Sequence, residues 1–395
     1  MVFFGKKLYR SLITITQILF FSPQWIPLLI WLQKNKKFLI IADLERHGQN
    51  ISNFVTFIEP ELRKQKLLRG KLTEVIILMS ADCDNAYLQM RYSREVAFVT
   101  KKTSKGYPIL KIASLFYGNK VSPSAQIIRF PICSSLTRFT NVECSTGRAF
   151  LSAHERTFSR SFLCYAVRNR IYYENWNKVY SKQIKINLNR DPSEATYLDA
   201  FANYSKDGMS VVRMGKFLEP VAPKIRSDTF FDYASEFRSD FLDVFLIFRC
   251  KFFVNGATGL FSIAQALNKR VAHCDLYDIR MLCAQNDLQI FQRLWLHEES
   301  RYATISEMLR IHNYSKDTVQ SRINIELVKN TSLEIANVVD EMNARIDGTW
   351  VETKEDIELQ RRYQELIVKY SDKPEWNGGG RIGAQFLRDN QDLLR

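Results

Sequence analysis

The sequence predicts an α/β protein with two Rossmann-like domains, each a parallel sheet with connecting helices. The clearest stretch, Lys251–His273, reads KFFVNGATGLFSIAQALNKRVAH and has the pattern strand, Gly-rich turn, helix, strand. A similar strand-to-helix pattern begins at Phe38, and another begins near Gln183. Open parallel sheets bind ligands at the carboxyl ends of their strands. The turns after these strands are therefore the first places to look for a functional site.

Composition narrows the classes of partner. The chain has 395 residues and a formal net charge of +14, which favours a nucleic acid, a membrane surface or a phosphorylated substrate as partner. The basic residues are spread along the chain and show no nucleic-acid-binding signature, so we expect no nucleic acid. Seven cysteines without a CxxC pair indicate reduced thiols in a cytoplasmic protein. Five histidines without HxxxH or HxH spacing predict no metal site.

Residues 1–37 are predicted to form a membrane-associating apolar segment. Leu12–Leu32 carries no charge and is close to the length of a bilayer span. Pro23 and Pro27 interrupt a helix there, which favours a monotopic anchor. A full span and a buried helical hairpin remain alternatives. Each of them places the rest of the chain at the cytoplasmic face of a membrane.

Residues 38–180 are predicted to form the first domain. Its first strand is Phe38–Ala42, its second is Glu74–Ser80, and a turn containing Arg46, His47 and Gly48 follows the first. His47 is the best single acid/base candidate because its unperturbed pKa is near neutrality. The alternative is that these are ordinary solvated loop residues.

The end of this domain gives a weaker signal. Ser134–Cys144 has the composition of a loop, and Phe158–Tyr180 is rich in tyrosine and arginine. We expect the second of these to be an interdomain helix with packed aromatic rings and solvated arginines.

Residues 181–350 are predicted to form the second domain, in which three strands end in NRD, RMG and NGATG. Arg190 and Arg213 follow the first two strands, and arginine can hold a diphosphate in a bidentate manner without a metal. The alternative is surface ion pairing of these arginines with nearby aspartates, namely Asp191, Asp228 or Asp232. In the third strand end, glycines and the N–H groups of a helix start predict an anion site, with the Thr258 hydroxyl as a further donor. An ordinary turn that needs glycine for its backbone geometry remains the alternative.

The C-terminal part is predicted to be helical. Apolar residues recur at helical spacing in Leu276–Glu299, Leu333–Ile346 and Thr353–Tyr370. We expect residues 351–395 to cover the second domain or cross back to the first.

Two long runs carry a family resemblance. Asn189–Gly215 and Ser239–Leu267 resemble a family of bacterial glycosyltransferases of surface-carbohydrate synthesis, with an Arg/Asp turn, an R-M-G strand end and a Gly-rich turn. The tail Gly379–Leu394 is similar as well. Arg46–Phe54 resembles the family's R-x-G-H-type turn, although His47 does not fall at the family's histidine position.

The resemblance implies a GT-B architecture, in which two Rossmann-like domains face a cleft. The C-terminal domain would then bind the nucleotide sugar through a set of strand-end residues: Arg190, Arg213, Gly215, Asn255, Gly256, Thr258 and Gly259. Arg46 and Gly48 would bind the acceptor. The Arg/Asp turn is also similar to the arginine turn of fucosyltransferase-like enzymes, which implies an inverting transfer without metal or other cofactor.

An inverting transfer needs a base near the acceptor hydroxyl. We expect Asp191 or His47 in this catalytic role, with Asp43, Glu45 and Asp82 left open. Asp82 and Asp84 form D-C-D, but they lie in the domain assigned to the acceptor, so we do not expect a metal-bound donor there.

The implied activity is transfer of a sugar to a glycan or lipid-linked acceptor in surface polysaccharide or lipopolysaccharide synthesis. Two alternatives stay open. One is a non-catalytic membrane-bound scaffold that binds a glycan, and the other is a sugar-nucleotide epimerase or hydrolase of the same fold.

Overall fold

The computed structural model describes residues 30, 39–45, 50–67, 74–79, 82–101, 107–108, 110–111, 134–172, 174–175, 191–202, 208–220, 229–280, 283–314, 324–371 and 379–395. The chain divides into two compact units, residues 1–123 and 124–395. Each contains its own parallel sheet, so the predicted α/β class is confirmed.

The first unit is a short βαβαβ arrangement. Strands β1 (Leu39–Glu45), β2 (Glu74–Met79) and β3 (Ala97–Thr100) form a parallel sheet in that order. Helices α1 (Ile51–Leu67) and α2 (Ala86–Tyr92) connect them. The apolar face of α1 is buried, and its Phe54 ring stacks on Phe98 with 5.5 Å between ring centroids. The predicted strand-to-helix pattern of this unit is confirmed.

The second unit is organised around a larger parallel sheet, whose described strands follow the order β13-β9-β8-β7-β4-β5-β6. Their bounds are β4 Phe162–Val167, β5 Ser210–Arg213, β6 Phe230–Phe231, β7 Phe253–Gly256, β8 Val271–Leu276, β9 Leu288–Phe291 and β13 Arg381–Ile382. Counted from β4, the first six strands lie in the doubly wound order 3-2-1-4-5-6. The central strands are buried along their whole length, as expected for a sheet covered on both faces.

Helices and a small second sheet complete this unit. The helices are α3 Asn141–Ala153, α4 Glu155–Phe158, α5 Glu194–Phe201, α6 Tyr233–Glu236, α7 Asp240–Arg249, α8 Phe261–Ala266, α9 Ile305–Tyr314, α10 Ser332–Asp347, α11 Lys354–Tyr370 and α12 Ala384–Asp389. Strands β10 (Arg293–Leu296), β11 (Arg301–Tyr302) and β12 (Ile325–Val328) form an antiparallel sheet in the order β11-β10-β12. The predicted strands at β5 and β7 and the predicted helices at α10 and α11 are confirmed.

The predicted domain boundary at residue 180 differs from the structure. β4 lies between β5 and β7 in the second sheet, so the second unit begins well before Gln183. Part of the segment expected to be an interdomain helix is therefore a central strand. The aromatic and arginine residues around FLCYAV obscured a continuous apolar run that is typical of a buried parallel strand. The predicted strand Ile184–Leu188 lies outside the described residues.

Three further expectations are corrected. Leu276–Glu299 was expected to be helical but contains β9 and β10. Short apolar runs fit the residue spacing of a helix and that of a strand equally well. Part of Ser134–Cys144, expected to be a loop, begins α3, where Thr140 and Glu143 form a capping box. Residues 351–395 supply an edge strand, β13, besides helices.

The predicted membrane segment lies outside the described residues except for Ile30, which is exposed. Among the helices that the structure describes, none has both the length and the apolar character of a membrane span.

Candidate functional site

The topological switch point of the large sheet lies between β4 and β7. From β4 the chain builds β5 and β6 on one side, then returns to place β7 on the other side of β4 and continues to β8 and β9. The connections after β4 and β7 therefore diverge, and ligands of open α/β sheets bind in the crevice that this creates at the carboxyl ends. The residues that follow Val167 and Gly256 define the candidate site.

The turn after β7 is held from inside by Asn255, whose side chain is 1% exposed. Its Oδ1 accepts hydrogen bonds from the backbone N–H of Thr258 at 2.9 Å and from the Thr258 hydroxyl at 3.0 Å. Its amide nitrogen lies 3.1 Å from Nδ1 of the buried His273, so this ring nitrogen accepts and Nε2 faces Asp287 at 3.4 Å. Asn255 was predicted to bind the donor. The structure instead gives its side chain the role of fixing the turn.

Close packing explains the glycine at position 256. A Cβ there would lie 2.8 Å from Oη of Tyr197 and 3.1 Å from Cα of Val167, closer than carbon atoms pack. The next residue, Ala257, has a φ of 59°, in the left-handed region. The backbone thus turns sharply directly above the junction of β4 and β7.

This turn presents unpaired backbone donors. The N–H groups of Ala257, Gly259 and Leu260 have no acceptor among the described residues, and these residues are only partly buried. The following helix, α8, has only six residues, which limits its dipole. What the turn offers an anion is therefore a set of backbone N–H groups, the kind of donor that binds phosphate at tight turns.

Arg168 and Asp191 form an ion pair beside the turn. Arg168 follows β4, and its backbone N–H donates to the Gly256 carbonyl at 2.8 Å. Its Nε donates to Oδ1 of Asp191 at 2.7 Å, with side chains 9% and 12% exposed. Oδ2 of Asp191 is buried and has no hydrogen-bond partner in the described part of the chain. The Lys329 ammonium donates to the Asp191 carbonyl. A guanidinium, a carboxylate and an ammonium thus lie together at the switch point.

Arg213, predicted to bind the donor, is already occupied. It is 1% exposed, and its Nε and Nη2 donate to the Glu194 carboxylate at 2.6 and 2.8 Å. Its Nη1 donates to Asp232 at 3.0 Å and to the Glu219 carbonyl at 2.9 Å. The alternative of ion pairing with Asp232 is therefore correct, but the pair is buried instead of superficial. Arg213 ties α5, the loop after β5 and the start of α6 together.

Gly215, also predicted at the donor site, has a structural reason to be glycine. Its φ is 147°, and a Cβ would lie 2.5 Å from Cδ1 of Leu218. The R-M-G strand end is therefore a packed corner in which neither the arginine nor the glycine faces open space.

A buried polar cluster closes the end of β8. Asp275, with a φ of 54°, accepts from the Tyr197 hydroxyl at 2.9 Å and from the Asn330 backbone N–H at 2.8 Å. Asn330 Oδ1 accepts from the Asp275 N–H at 2.7 Å. Burial raises the pKa of the Asp275 carboxyl, and the hydrogen bonds from Asn330 and Tyr197 only partly offset this. The cluster holds Tyr197 against Gly256.

The remaining predicted site residues are only partly described. Arg190, Arg46, His47 and Gly48 lie outside the described residues, so their roles stay predictions. Asp43 and Glu45 belong to β1. Asp82 is exposed and accepts from Gln89, whereas Asp84 is buried. No group of three potential metal ligands occurs within the described part of the chain.

Arg168, Tyr197 and Asn330 were missed by sequence reasoning. Arg168 directly follows six consecutive apolar residues, which is the signal of a strand end, but the surrounding aromatic and basic residues hid it. Tyr197 and Asn330 act through contacts with residues far away in sequence, and no local pattern identifies such partners.

Comparisons with known proteins found no matching family model and no matching curated protein. Solved structures similar to this chain include the dodecameric iron-containing heptosyltransferase TibC in complex with ADP-D-β-D-heptose, at 11% identity and a TM-score of 0.41, covering 78% of this chain and 76% of that one. Another is the ADP-heptose lipopolysaccharide heptosyltransferase II of E. coli, at 12% identity and a TM-score of 0.36, covering 60% and 83%. A third is the E. coli heptosyltransferase WaaC with ADP-2-deoxy-2-fluoro heptose, at 8% identity and a TM-score of 0.30, covering 61% and 89%. These scores lie below 0.5, so we base the proposal below on the residues of this chain.

Proposed function

We propose that this protein is a glycosyltransferase that moves a sugar from a nucleotide-sugar donor to a glycan or lipid-linked acceptor in bacterial surface polysaccharide or lipopolysaccharide synthesis. In this proposal the second unit binds the donor, the first unit binds the acceptor, and the two make up a GT-B enzyme. The net charge of +14 supports the proposal that the enzyme acts at the cytoplasmic face of an anionic membrane.

The observation that carries the proposal is the turn after β7 at the topological switch point. The N–H groups of Ala257, Gly259 and Leu260 have no acceptor among the described residues, and the backbone of Arg168 is bonded to the Gly256 carbonyl at the start of the same turn. Backbone donors and a guanidinium together stabilise a diphosphate that gains charge as it leaves, because they are fixed before the reaction starts. This supports a transfer that does not depend on a metal to hold the diphosphate, and we propose that the transfer is inverting.

Asp191 is a candidate for two roles in the transfer, the catalytic base and a residue that positions Arg168. As the base, it would take the acceptor proton through Oδ2, the oxygen without a partner. As a positioning residue, it would hold the Arg168 guanidinium through Oδ1. His47 stays the candidate base on the acceptor side.

Asp191→Asn separates these roles. A base role predicts that turnover falls by about 100-fold or more while nucleotide affinity stays unchanged. A positioning role predicts weaker nucleotide binding, because the neutral amide no longer holds Arg168. Glu236→Gln, which neutralises an exposed carboxylate on α6, is the matched control and should change neither quantity.

The proposal as a whole is tested by a thermal-shift panel of GDP, UDP, CMP, dTDP and ADP, with and without magnesium. A ligand that binds only the folded state raises the unfolding temperature. We expect one nucleotide to stabilise the protein selectively without magnesium. If folded protein responds to no nucleotide, the non-catalytic scaffold replaces this proposal.

A further inference from the structure

A second cavity lies at the opposite, amino edge of the large sheet. It has a volume of about 250 Å³ and lies where β8, β9 and β13 begin and α10 ends, with a lining that includes Arg270, Arg345, Arg381, Trp350, Asp287 and Gly348. The six residues of β8 separate it from the turn after β7 by about 17 Å, at the usual rise of a strand. It is therefore not part of the proposed donor site.

Three guanidinium groups line this cavity, and two of them share the carboxylates of Glu341 and Glu352. Arg345 and Arg381 both donate to the Glu352 carboxylate, which holds them side by side. Arg345 also pairs with Glu341 at 2.8 Å and lies over the Trp350 ring, with 5.1 Å to the ring centroid. The side chain of Arg270 has no acidic partner and no hydrogen-bond acceptor among the described residues.

The acidic residue in the lining does not compensate this charge. Asp287 already accepts from the backbone N–H groups of Val271 and Ala284 at 2.8 and 2.9 Å, and from the side chain of Gln265 at 3.2 Å. Its 1% exposure leaves no oxygen facing open space. Its carboxylate therefore belongs to the sheet interior.

Two further donors at the cavity have no acceptor. Nε of Arg381 and Nε1 of Trp350 are both buried and unbonded in the described part of the chain. Buried donors without acceptors are costly, so the groups that the structure describes do not fully satisfy the polar atoms around this cavity. The Trp350 ring also adds an apolar surface next to these donors.

We propose that this cavity is a second anion site that binds a phosphate monoester. Arginine forks match the geometry of phosphate oxygens, and Arg270, which has no acidic partner among the described residues, favours a ligand of negative charge. The cavity is slightly smaller than the range of about 300–1,000 Å³ that holds drug-sized ligands, which fits a phosphate group with a small attached moiety. Such a group is present on free phosphorylated sugars and on lipid headgroups.

The test compares wild type, Arg270→Gln and Arg148→Gln. Arg148 is an exposed arginine of α3 without a partner among the described residues, so its replacement makes the same charge change away from the cavity. The probes are inorganic phosphate, glucose 1-phosphate, and vesicles of phosphatidylcholine with or without phosphatidic acid. Thermal shift and calorimetry report the soluble probes, and co-sedimentation reports the vesicles.

We expect saturable binding of at least one phosphate probe to wild type and Arg148→Gln. Arg270→Gln should weaken it by about tenfold or more, the effect of losing one charge-assisted contact. Glucose 1-phosphate binding would identify a free phosphorylated sugar as the source, and binding only to vesicles with phosphatidic acid would identify a lipid headgroup. Equal binding to all three proteins, or no binding of any probe, would overturn the proposal.

The unliganded proteins provide a second test. Arg270 lies near the guanidinium groups of Arg345 and Arg381 and has no acidic partner among the described residues. Removing its charge should therefore leave the unfolding temperature of Arg270→Gln unchanged or raise it. A large decrease would show that Arg270 has a structural partner and would contradict the proposal. Nucleotide binding should be the same in Arg270→Gln and wild type, so a failure at this cavity can be distinguished from a failure at the donor turn.

Discussion

Two strand ends at the same edge of the large sheet, R-M-G after β5 and NGATG after β7, were both predicted to hold the donor, yet they differ in what their polar groups contact. At the first, Arg213 donates to two carboxylates and a carbonyl and is almost fully buried. At the second, Asn255 fixes the turn from inside, and the N–H groups of three neighbouring residues have no acceptor in the part of the chain that the structure describes.

An arginine at a strand end is therefore not by itself a ligand-binding residue. Arg213 forms ion pairs with Glu194 and Asp232, and these pairs hold α5, the loop after β5 and the start of α6 together. Arg168, which no motif identified, lies at the switch point instead. Position in the sheet therefore separates the structural arginine from the one that we propose to bind a ligand.

The largest expected effect is on Arg213. Arg213→Met leaves the buried Asp232 carboxylate and the partly buried Glu194 carboxylate without their shared partner, which costs about 3–5 kcal/mol when one member of a buried ion pair is removed. Chemical denaturation measures this loss. Arg213→Lys is the control that keeps the charge and should lose less. A change below about 1 kcal/mol in Arg213→Met would mean that the buried network does not hold the fold.

The next effect concerns Gly256. Gly256→Ala places a methyl group 2.8 Å from the Tyr197 hydroxyl, and overpacking of this kind costs about 1–3 kcal/mol. The shifted turn should also bind nucleotide more weakly, measured by calorimetry. Tyr197→Leu in the same protein removes both the hydroxyl and the ring carbon Cζ, which lies 2.9 Å from the added methyl group, so the double variant should lose less stability than the sum of the two single variants. Additive losses in the double variant would contradict the proposed contact.

A smaller effect is expected at Thr258. Thr258→Val removes the hydroxyl that donates to Asn255 but keeps the backbone N–H bond, for a loss of about 1 kcal/mol. Thr196→Val is the control, a threonine on α5 with no recorded side-chain bond in the described part. Denaturation midpoints compare the two, and equal losses would remove the special role of the Thr258 hydroxyl.

The smallest expected effect is a pH dependence of the unfolding free energy that comes from Asp275. Burial raises the pKa of this carboxyl, so its contribution to stability is fully present below the ordinary aspartate pKa of about 3.9 and is lost as the pH rises through the raised value. Asp275→Asn lacks this dependence. The unfolding free energy of wild type relative to Asp275→Asn should therefore fall as the pH increases from about 4, and a difference that rises with pH would contradict the assignment.

Local patterns in the sequence predicted part of this molecule. The strands at β1, β2, β5 and β7 and the helices α10 and α11 follow from apolar periodicity, and the turn after β7 follows from its glycines. β4 was missed because aromatic and basic neighbours masked a six-residue apolar run. β9 was missed because a short apolar run fits a helix and a strand equally well.

The site was predicted less well than the fold, for a physical reason. Whether Arg213 or Asn255 faces a ligand depends on partners such as Asp232 and His273, which lie 18 or more residues away in sequence. Once β4 is placed beside β7, Arg168 and the pairing with Asp191 follow from topology. The long-range order of the strands, which no local pattern contains, was the missing information.

The most direct test measures the dissociation constant of the nucleotide selected by the thermal-shift panel for Arg168→Gln and for Arg213→Lys, both checked to be folded. We predict that Arg168→Gln weakens binding by about tenfold or more, because a charge-assisted contact at the switch point is lost. Arg213→Lys should stay close to wild type, since the Arg213 guanidinium is bonded to Glu194, Asp232 and the Glu219 carbonyl. Unchanged binding in Arg168→Gln together with a clear loss in Arg213→Lys would contradict the assignment of the donor site to the β7 turn.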